Sequence, residues 1–396
     1  MKMIRSFIPV GQGAFYCEQF LDKQTKEIIN IVYDCGSQSK TLIKKQIENT
    51  FKRGETIHAV FISHFHYDHI SGLEHLLEYC DVKIIFLPMV TDENKIVLYL
   101  NNILNDSKNS DFTNSFINNP KKALVHKSES TEIYEIEPYY LDNQFEQFAN
   151  KEIDYGEREE YIRSGRDVSS IIARYSRNKM LSDWAFIPFN YEERNNMIYL
   201  KQALSEYANL KGFDYKELPN NITKESIKDI KRIYLNVLKG TKHFNTNSMT
   251  LYSGDILGKS YQKYVGQKYT RCYCKGCYNF GGLKMSGCLY TGDYDMSDDN
   301  KFFTLIESYE NRLNKGFSNK SIEDFVGCIQ IPHHGSKNNY NTNISVYNSY
   351  YVISAGTKNM YGHPHSFVIK NLLLNDTNPL VVTEEANSAV YFRIYS

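Results

Sequence analysis

The sequence contains no run of about 18 uninterrupted apolar residues, so it predicts no transmembrane helix. Residues 1–13 include charges but only a short apolar stretch, which favours a first β-strand over a secretory signal peptide. Lysine plus arginine and aspartate plus glutamate both number 46, so the formal net charge is zero and implies no overall attraction to nucleic acid. We therefore expect a cytoplasmic protein that does not bind a membrane.

A local basic surface is not excluded by the zero net charge. Five cationic residues fall close together in the sequence: Arg163, Arg166, Arg174, Arg177 and Lys179. They can form a patch that contacts phosphates, although the ordinary interpretation of such a run is a solvated charged segment.

The cysteines do not predict a disulfide framework, because eight of them occur in a chain of 396 residues expected in a reducing compartment. Cys272, Cys274 and Cys277 have a spacing that can chelate zinc, but a closed structural site needs four ligands. Cys288 or a more distant residue can be the fourth. The alternative is a loop of free thiols.

The alternation of secondary-structure signals indicates an α/β fold. The first ninety residues follow the order β-α-β-α-β, which favours a layered sheet with helices. The next block is rich in Asn, Lys, Glu and Tyr and has few strand signals, and the signals return from about residue 246. We predict an αββα sandwich built from an N-terminal half (1–91) and a C-terminal half (246–396). Between them we predict a large, mostly helical and loop-rich insertion (92–245), which can contact a protein partner.

The strongest chemical signal is a histidine-rich motif that follows a predicted strand and precedes a predicted helix. It contains His64, His66, Asp68 and His69. In an extended segment, side chains two residues apart project to the same side, so the first two histidines can converge. Imidazole and carboxylate together suit Zn²⁺, and also Fe²⁺ or Mn²⁺. We predict that these residues bind one or two cations, zinc above all, with manganese as an alternative.

Further candidate ligands follow later strands. Asp293 comes directly after an apolar strand, so its carboxylate is delivered to the rim of the sheet, where it can bridge two cations. His333 and His334 also follow a strand. Because adjacent side chains of an extended segment point in opposite directions, both can face the metals if the backbone bends there. Which of the two is the stronger ligand stays open.

Seven motifs in chain order resemble one known family. They are Val10-Gly11-Gln12-Gly13, Asp34-Cys35-Gly36, the motif of residues 63–69, Asn247-Ser248, Thr291-Gly292-Asp293, His333-His334-Gly335-Ser336 and Tyr361-Gly362-His363-Pro364-His365. The sequence is similar in these motifs to the metallo-β-lactamase superfamily. More narrowly it resembles the metallo-β-lactamase domain of the ComEC family of DNA-uptake proteins and its stand-alone relatives. The similarity covers roughly residues 1–90 and 245–370, and the order and spacing agree throughout.

The resemblance implies a metallo-β-lactamase sandwich and assigns further roles. It places Asp34 beneath the metal centre, hydrogen-bonding a ligand histidine or nearby backbone. His363 is our candidate for the group near the leaving oxygen, where a histidine can protonate a leaving group or stabilise negative charge. Many members of the superfamily have another ligating histidine before the bridging aspartate. Here the interval offers His75, His126 and His243, and neither of the first two has a supporting motif.

The motifs predict a metal-dependent hydrolase. The ComEC-like set favours a phosphodiesterase or nuclease that uses a metal-activated water, with Asp68 as its base or hydrogen-bond acceptor and a nucleic acid or small nucleotide as substrate. The same site can hydrolyse a lactone or a thioester, because the fold by itself does not choose the substrate. A third possibility is a non-catalytic scaffold, although the sequence has lost none of the main ligand positions.

Overall fold

The computed structural model of this protein describes residues 2–90, 95, 111–124, 130–140, 160–176, 180–192, 194–221, 223–237, 247–265, 282–314, 320–377 and 379–395. The three clustered cysteines Cys272, Cys274 and Cys277 lie outside the described residues, and so do Arg177 and Lys179. The structural zinc site therefore stays a prediction.

The larger of two main sheets has ten strands in the described part of the chain. Their spatial order is β10, β8, β7, β5, β3, β2, β1, β19, β13, β14. The strands span Lys2–Phe7 (β1), Phe15–Leu21 (β2), Ile28–Cys35 (β3), Ala59–Phe61 (β5), Ile84–Pro88 (β7), Glu132–Ile136 (β8), Tyr161–Ile162 (β10), Tyr261–Tyr264 (β13), Lys284–Met285 (β14) and Val390–Tyr395 (β19). From β3 to β10 the neighbouring strands run parallel, so their carboxyl ends share one rim.

The smaller sheet has seven described strands, in the order β18, β17, β16, β15, β12, β11, β9. They span Pro138–Tyr140 (β9), Trp184–Glu192 (β11), Asn247–Asp255 (β12), Gly287–Tyr290 (β15), Val326–Gln330 (β16), Tyr350–Ser354 (β17) and Leu380–Val382 (β18). Strands β15 to β18 run parallel. A separate pair joins Thr56–Ile57 (β4) to Asp81–Val82 (β6).

Helices cover the outer faces of both sheets. The described α-helices are Lys40–Thr50 (α1), Tyr67–Ile70 (α2), Leu73–Tyr79 (α3), Asp111–Asn118 (α4), Pro120–Leu124 (α5), Ser169–Ile172 (α6), Arg194–Lys211 (α7), Lys224–Val237 (α8), Asp299–Leu313 (α9) and Ser366–Leu374 (α10). Helices α1 and α3 bury Ile43 and Leu73 against the larger sheet. Helices α9 and α10 bury Phe302 and Val368 against the smaller sheet. None of the described helices combines the length and the apolar character that crossing a membrane requires.

A third apolar cluster fills the space between the two sheets. It joins Phe7, Tyr16 and Phe61 of the larger sheet to Met249 and Tyr290 of the smaller one. The layers therefore run helix, sheet, sheet, helix, and the predicted α/β class is confirmed. The two predicted halves do not correspond to the two sheets, because the C-terminal strand β19 pairs with β1 in the larger sheet. This pairing covers the edge of β1 that would otherwise be free.

The block predicted as an insertion contributes to both sheets. Strands β8 and β10 extend the larger sheet, while β9 and β11 extend the smaller one. Helices α7 and α8 instead form an apolar cluster of their own, which includes Leu200, Leu204 and Ile230. Sparse strand signals concealed the pairing of β8, β9 and β10, because strands of two to five residues leave little periodicity. The boundaries at residues 92 and 245 stay a prediction.

A buried ion pair ties the two sheets together. The fully buried guanidinium of Arg5 donates to the Glu18 carboxylate at 2.7 Å, to the Gln262 side-chain oxygen at 2.7 Å and to the Ser253 carbonyl of the smaller sheet at 3.1 Å. The Tyr290 hydroxyl, also from the smaller sheet, donates to Glu18 at 2.9 Å. Removing one partner would leave a buried charge without compensation, which is far costlier than losing a surface pair.

We expect Arg5→Ala to lower the free energy of unfolding by about 3–5 kcal/mol. The matched control is Arg393→Ala on the adjacent strand β19, where the side chain is exposed and the change should stay within about 0.5 kcal/mol. Urea unfolding of both variants measures the difference. Equal losses in the two variants would show that the buried pair does not hold the sheets together.

Candidate metal centre

The predicted ligands come from three loops that follow strand ends at one rim of the sandwich. The histidine motif begins two residues after β5 and continues into the short helix α2. Asp293 follows β15, and the two adjacent histidines follow β16. Backbone contacts hold these loops in place: Met249 N of β12 donates to Ser63 O at 2.8 Å, and His333 N donates to Gly292 O at 3.0 Å and so joins the two later loops.

Two groups of side chains have the spacing of a metal site. One consists of His64, His69 and Asp293, and the other of Asp68, His69 and His334, with ligand atoms in each group within 4.8 Å of one another. The Nε2 atoms of His64 and His69 lie 3.4 and 3.3 Å from the two Asp293 oxygens. Nε2 of His334 lies 3.3 Å from Asp68 Oδ2. Both groups share His69, whose Nε2 can bind one cation, so the groups mark two adjoining positions of which only one can use His69.

His66 and His333 lie beside these groups. The His66 ring centroid is 4.6 Å from that of His64. Nε2 of His333 is 3.7 Å from Asp293 Oδ2. The backbone bend that the adjacent pair requires is present, because His333 and His334 have φ values of 47° and 55°, in the left-handed region. Both rings therefore turn towards the same centre, one towards Asp293 and the other towards Asp68.

In His69, His334 and His333, the ring nitrogen that faces away from the centre has an oxygen partner. His69 Nδ1 lies 2.7 Å from Asp34 Oδ2, and His334 Nδ1 lies 2.8 Å from the carbonyl of Ser354. Since these oxygens accept, the rings carry their proton on Nδ1 and present the Nε2 lone pair inward. His333 Nδ1 lies 2.7 Å from Asn339 Oδ1, which fixes the same tautomer.

Ser63 completes this arrangement at His64. The Ser63 hydroxyl lies 2.7 Å from Asp34 Oδ2 and 2.9 Å from His64 Nδ1. A hydroxyl has one proton, so when Ser63 donates to Asp34 it accepts from His64 Nδ1. The Asp34 carboxylate therefore orients two histidines, His69 directly and His64 through Ser63.

The donor set fits a divalent cation. The Nε2 atoms of His64, His69 and His334 are buried and have no hydrogen-bond partner among the described residues. Buried nitrogens with inward lone pairs, opposite the buried Asp293 carboxylate, are costly to leave unsatisfied, and a cation bound between them satisfies all of them. Imidazole with carboxylate suits zinc, and also manganese or iron.

The electrostatics of the centre reflect its carboxylates. Burial and the neighbouring His69 lower the pKa of His64, and burial lowers the pKa of His66 to about 4. Burial alone would lower the pKa of His69 as well, but Asp293 and Asp34 raise it well above its ordinary value. Burial would raise the pKa of Asp293, yet the surrounding histidines hold it well below its usual range. The carboxylates of Asp293 and Asp34 thus stabilise a positive charge placed next to them.

Glycines allow the loops beneath the centre to approach one another. A Cβ at Gly13 would lie 2.4 Å from the Gly36 carbonyl oxygen, and one at Gly36 would lie 2.5 Å from the Asp68 backbone. Ala14 N donates to Asp68 O at 3.1 Å, and Gly36 N donates to Ala14 O at 2.8 Å. The two glycine motifs of residues 10–13 and 34–36 therefore pack directly beneath the histidine motif of residues 63–69.

His363 lies at the edge of the centre, with its ring centroid 5.7 Å from that of His333. His365 has a different place, because its Nδ1 accepts from Phe367 N at 3.1 Å and caps helix α10. His75 lies on α3 and contacts Glu48, away from the ligands. The other two histidines of the interval, His126 and His243, fall outside the described residues.

Two supporting residues escaped the sequence analysis. Gln330 accepts from Thr291 N at 2.7 Å and from Gly292 N at 2.8 Å, so it shapes the turn before Asp293. Asn339 accepts from His333 and donates to the Asp293 carbonyl at 3.2 Å. The sequence did contain a signal for Gln330, because it is a polar residue in the otherwise apolar strand β16. Asn339, in a polar loop, gave none.

The comparisons with known proteins agree with the geometry. Residues 29–89 match the family model described as Metallo-beta-lactamase superfamily. The matched stretch includes Asp34 and the whole histidine motif. No curated protein matches the chain. Members of the superfamily are generally hydrolases and typically bind metal ions, which is the class that this rim of histidine and aspartate side chains indicates. The narrower resemblance to the ComEC family stays a prediction.

We expect the purified protein to bind one or two zinc or manganese ions per chain. Asp293→Ala and His66→Ala should lose metal while the fold is kept, because each removes a group at the centre and leaves the core intact. His75→Ala should retain full occupancy, since its ring lies on α3 against Glu48. Elemental analysis with circular dichroism tests this. Full metal content in the Asp293→Ala, His66→Ala double variant would refute the site.

Asn339→Ala should weaken metal binding by about 10–100-fold, the usual effect of removing a residue that orients a ligand histidine. The matched control is Asn338→Ala, whose side chain is exposed and which should bind metal as the wild type does. Competition with a chromophoric chelator gives both affinities. Unchanged affinity in Asn339→Ala would mean that its contacts with His333 and Asp293 do not orient the ligands.

Proposed function

We propose that the protein is a metal-dependent phosphodiesterase. The observation that carries this proposal is the pair of side-chain groups sharing His69, with Asp293 between the histidines and Asp68 on the other side. Two adjacent positive centres suit the transfer of a phosphoryl group, whose transition state has its charge spread over several oxygens. The ComEC-like motif set also favours a phosphodiester substrate. The fold by itself is compatible with other classes of ester.

The side chains of the rim divide the reaction between them. Bound divalent cations would lower the pKa of water towards about 7 and neutralise phosphate charge. His64, His66, His69, His333 and His334, with Asp68 and Asp293, would hold these cations. Asp68, whose pKa is lowered by His334 and His69 against the effect of burial, stays ionised and accepts a hydrogen bond or proton from the attacking water.

His363 completes the proposal on the leaving-group side. Its ring lies beside His333 and outside the two ligand groups, so it can donate a proton or a hydrogen bond to the departing oxygen. Asp34 and Ser63 act through the histidines that they orient. We assign these roles from the position of each side chain relative to the candidate metal centre.

The charge distribution favours a small nucleotide over a long nucleic acid. Arg174 pairs with Glu132 at 3.1 Å. Glu132 begins β8 and pairs with Ile84, which begins β7, whereas the ligands follow strand carboxyl ends. Arg174 therefore lies at the opposite end of the larger sheet from the centre. Arg174, one of the five cationic residues predicted to form a basic patch, is therefore not available at the site, which lowers what a long polyanion would gain from phosphate contacts. A protein partner for residues 92–245 and a cytoplasmic location stay predictions.

We expect metal-dependent hydrolysis of cyclic nucleotides or short dinucleotides, with weak dependence on salt because few cations contact phosphate. His363→Ala should lower kcat by about 10²–10⁴-fold, the usual contribution of a general acid. Its metal content should not change, which separates His363 from the ligands. Steady-state kinetics at low and moderate salt, with elemental analysis, measure both.

The same substrate panel contains the opposing outcomes. It should include single-stranded and duplex DNA, RNA, bis-p-nitrophenyl phosphate, a lactone and a thioester. Hydrolysis confined to the lactone or the thioester would replace the phosphodiesterase by a carboxylic ester hydrolase. No hydrolysis of any substrate by the metal-loaded protein would favour a non-catalytic scaffold.

A further inference from the structure

Two large side chains are exposed beside the candidate metal centre. Met360 is 95% exposed and Tyr361 is 62% exposed. The Tyr361 ring stacks on His363 with a centroid distance of 5.9 Å and an interplanar angle of 17°. The His363 ring in turn lies 5.7 Å from His333. A row of three rings therefore leads from the ligands of the centre to the surface.

The loop that carries Tyr361 is held in place from both sides. Asn359 Oδ1 accepts from Tyr361 N at 3.1 Å and from His363 N at 2.9 Å. His365 N donates to Gly335 O at 2.9 Å, which anchors the loop to the turn of the adjacent histidines. The backbone that carries the exposed ring consequently has a fixed place relative to the centre. A preformed contact of this kind spares a ligand the cost of ordering the loop.

We propose that Tyr361 is a stacking platform for a nucleobase of the substrate, an inference that rests on the proposed phosphodiesterase function. A phosphate held at the centre has a nucleoside on its leaving side, where His363 lies. Beyond His363, the Tyr361 ring presents a flat surface to solvent. Bases stack on tyrosine irrespective of their identity, because each base has a π-face. The site would then accept nucleotides with little preference among bases.

Other occupants of this surface predict different behaviour. The acyl chain of an ester would need apolar area at Tyr361 and Met360 but no aromatic ring. A protein partner would contact the two side chains independently of any ligand at the metal centre. A nucleobase requires the ring itself and binds together with a phosphate. Substitutions that keep area and remove the ring therefore separate these cases.

The test compares adenosine 5′-monophosphate with ribose 5-phosphate, which lacks the base, by calorimetry on the metal-loaded full chain. Neither ligand is a diester, so binding is measured without turnover. We expect the nucleotide to bind the wild type about tenfold more tightly than the sugar phosphate, within the range for one stacking contact. Tyr361→Ala and Tyr361→Leu should remove this preference, and Tyr361→Phe should retain it. Tyr199→Ala, with a tyrosine 63% exposed on α7, should bind as the wild type does.

The outcomes distinguish this inference from the proposed function. Equal binding of both ligands by the wild type, or an unchanged preference in Tyr361→Ala, overturns the stacking platform even if diesters are cleaved. A preference retained in Tyr361→Leu also overturns it, because apolar area would then suffice. If the preference depends on the ring but no phosphodiester is cleaved, the stacking site stands and the phosphodiesterase proposal fails.

Discussion

The contact between the Asp34 carboxylate and the histidine loop is the constraint on which the rest of the candidate centre depends. Asp34 lies at the end of a central strand, is fully buried and has a φ of 55°. An aspartate in this left-handed conformation is strained, and its contacts with Ser63 N, the Ser63 hydroxyl and His69 compensate for that strain. Because one carboxylate fixes two rings, the histidine loop is already oriented for ligation by the fold.

The sandwich contributes to the centre by bringing loops from both sheets to one rim. The larger sheet delivers the histidine motif, while the smaller sheet delivers Asp293 and the adjacent histidines from parallel neighbouring strands. Glycines beneath these loops permit backbone approaches that a Cβ would prevent. The buried pair of Arg5 and Glu18 joins the same two sheets within their common core. If the two sheets shifted relative to each other, the histidine motif would move away from Asp293 and the adjacent histidines. Stability and metal binding are therefore physically linked in this fold.

Much of this arrangement could be predicted from the sequence, and the misses have physical causes. Candidate ligands such as His64 and Asp68 occur in one short segment, where the local spacing is enough to indicate a shared metal. The predicted bend at His333 and His334 is present, since two adjacent rings cannot otherwise face one centre. The pairing of the short strands β8, β9 and β10 was missed, because such strands derive their structure from neighbours distant in sequence. Asn339 was missed for the same reason, as its two partners are defined by three-dimensional proximity.

The sequence by itself determined the type of chemistry, because residue types within a few positions of one another are local information. It indicated an α/β class and a set of histidine and aspartate side chains as candidate ligands, with His363 as a candidate for the leaving side. The tertiary structure alone decided which nitrogen of each histidine faces inward, since that depends on acceptors such as Ser354 O from another strand. It also decided that Arg174 lies away from the centre and that Tyr361 lies beside it. Long-range packing sets these positions, and no spacing along the chain encodes them.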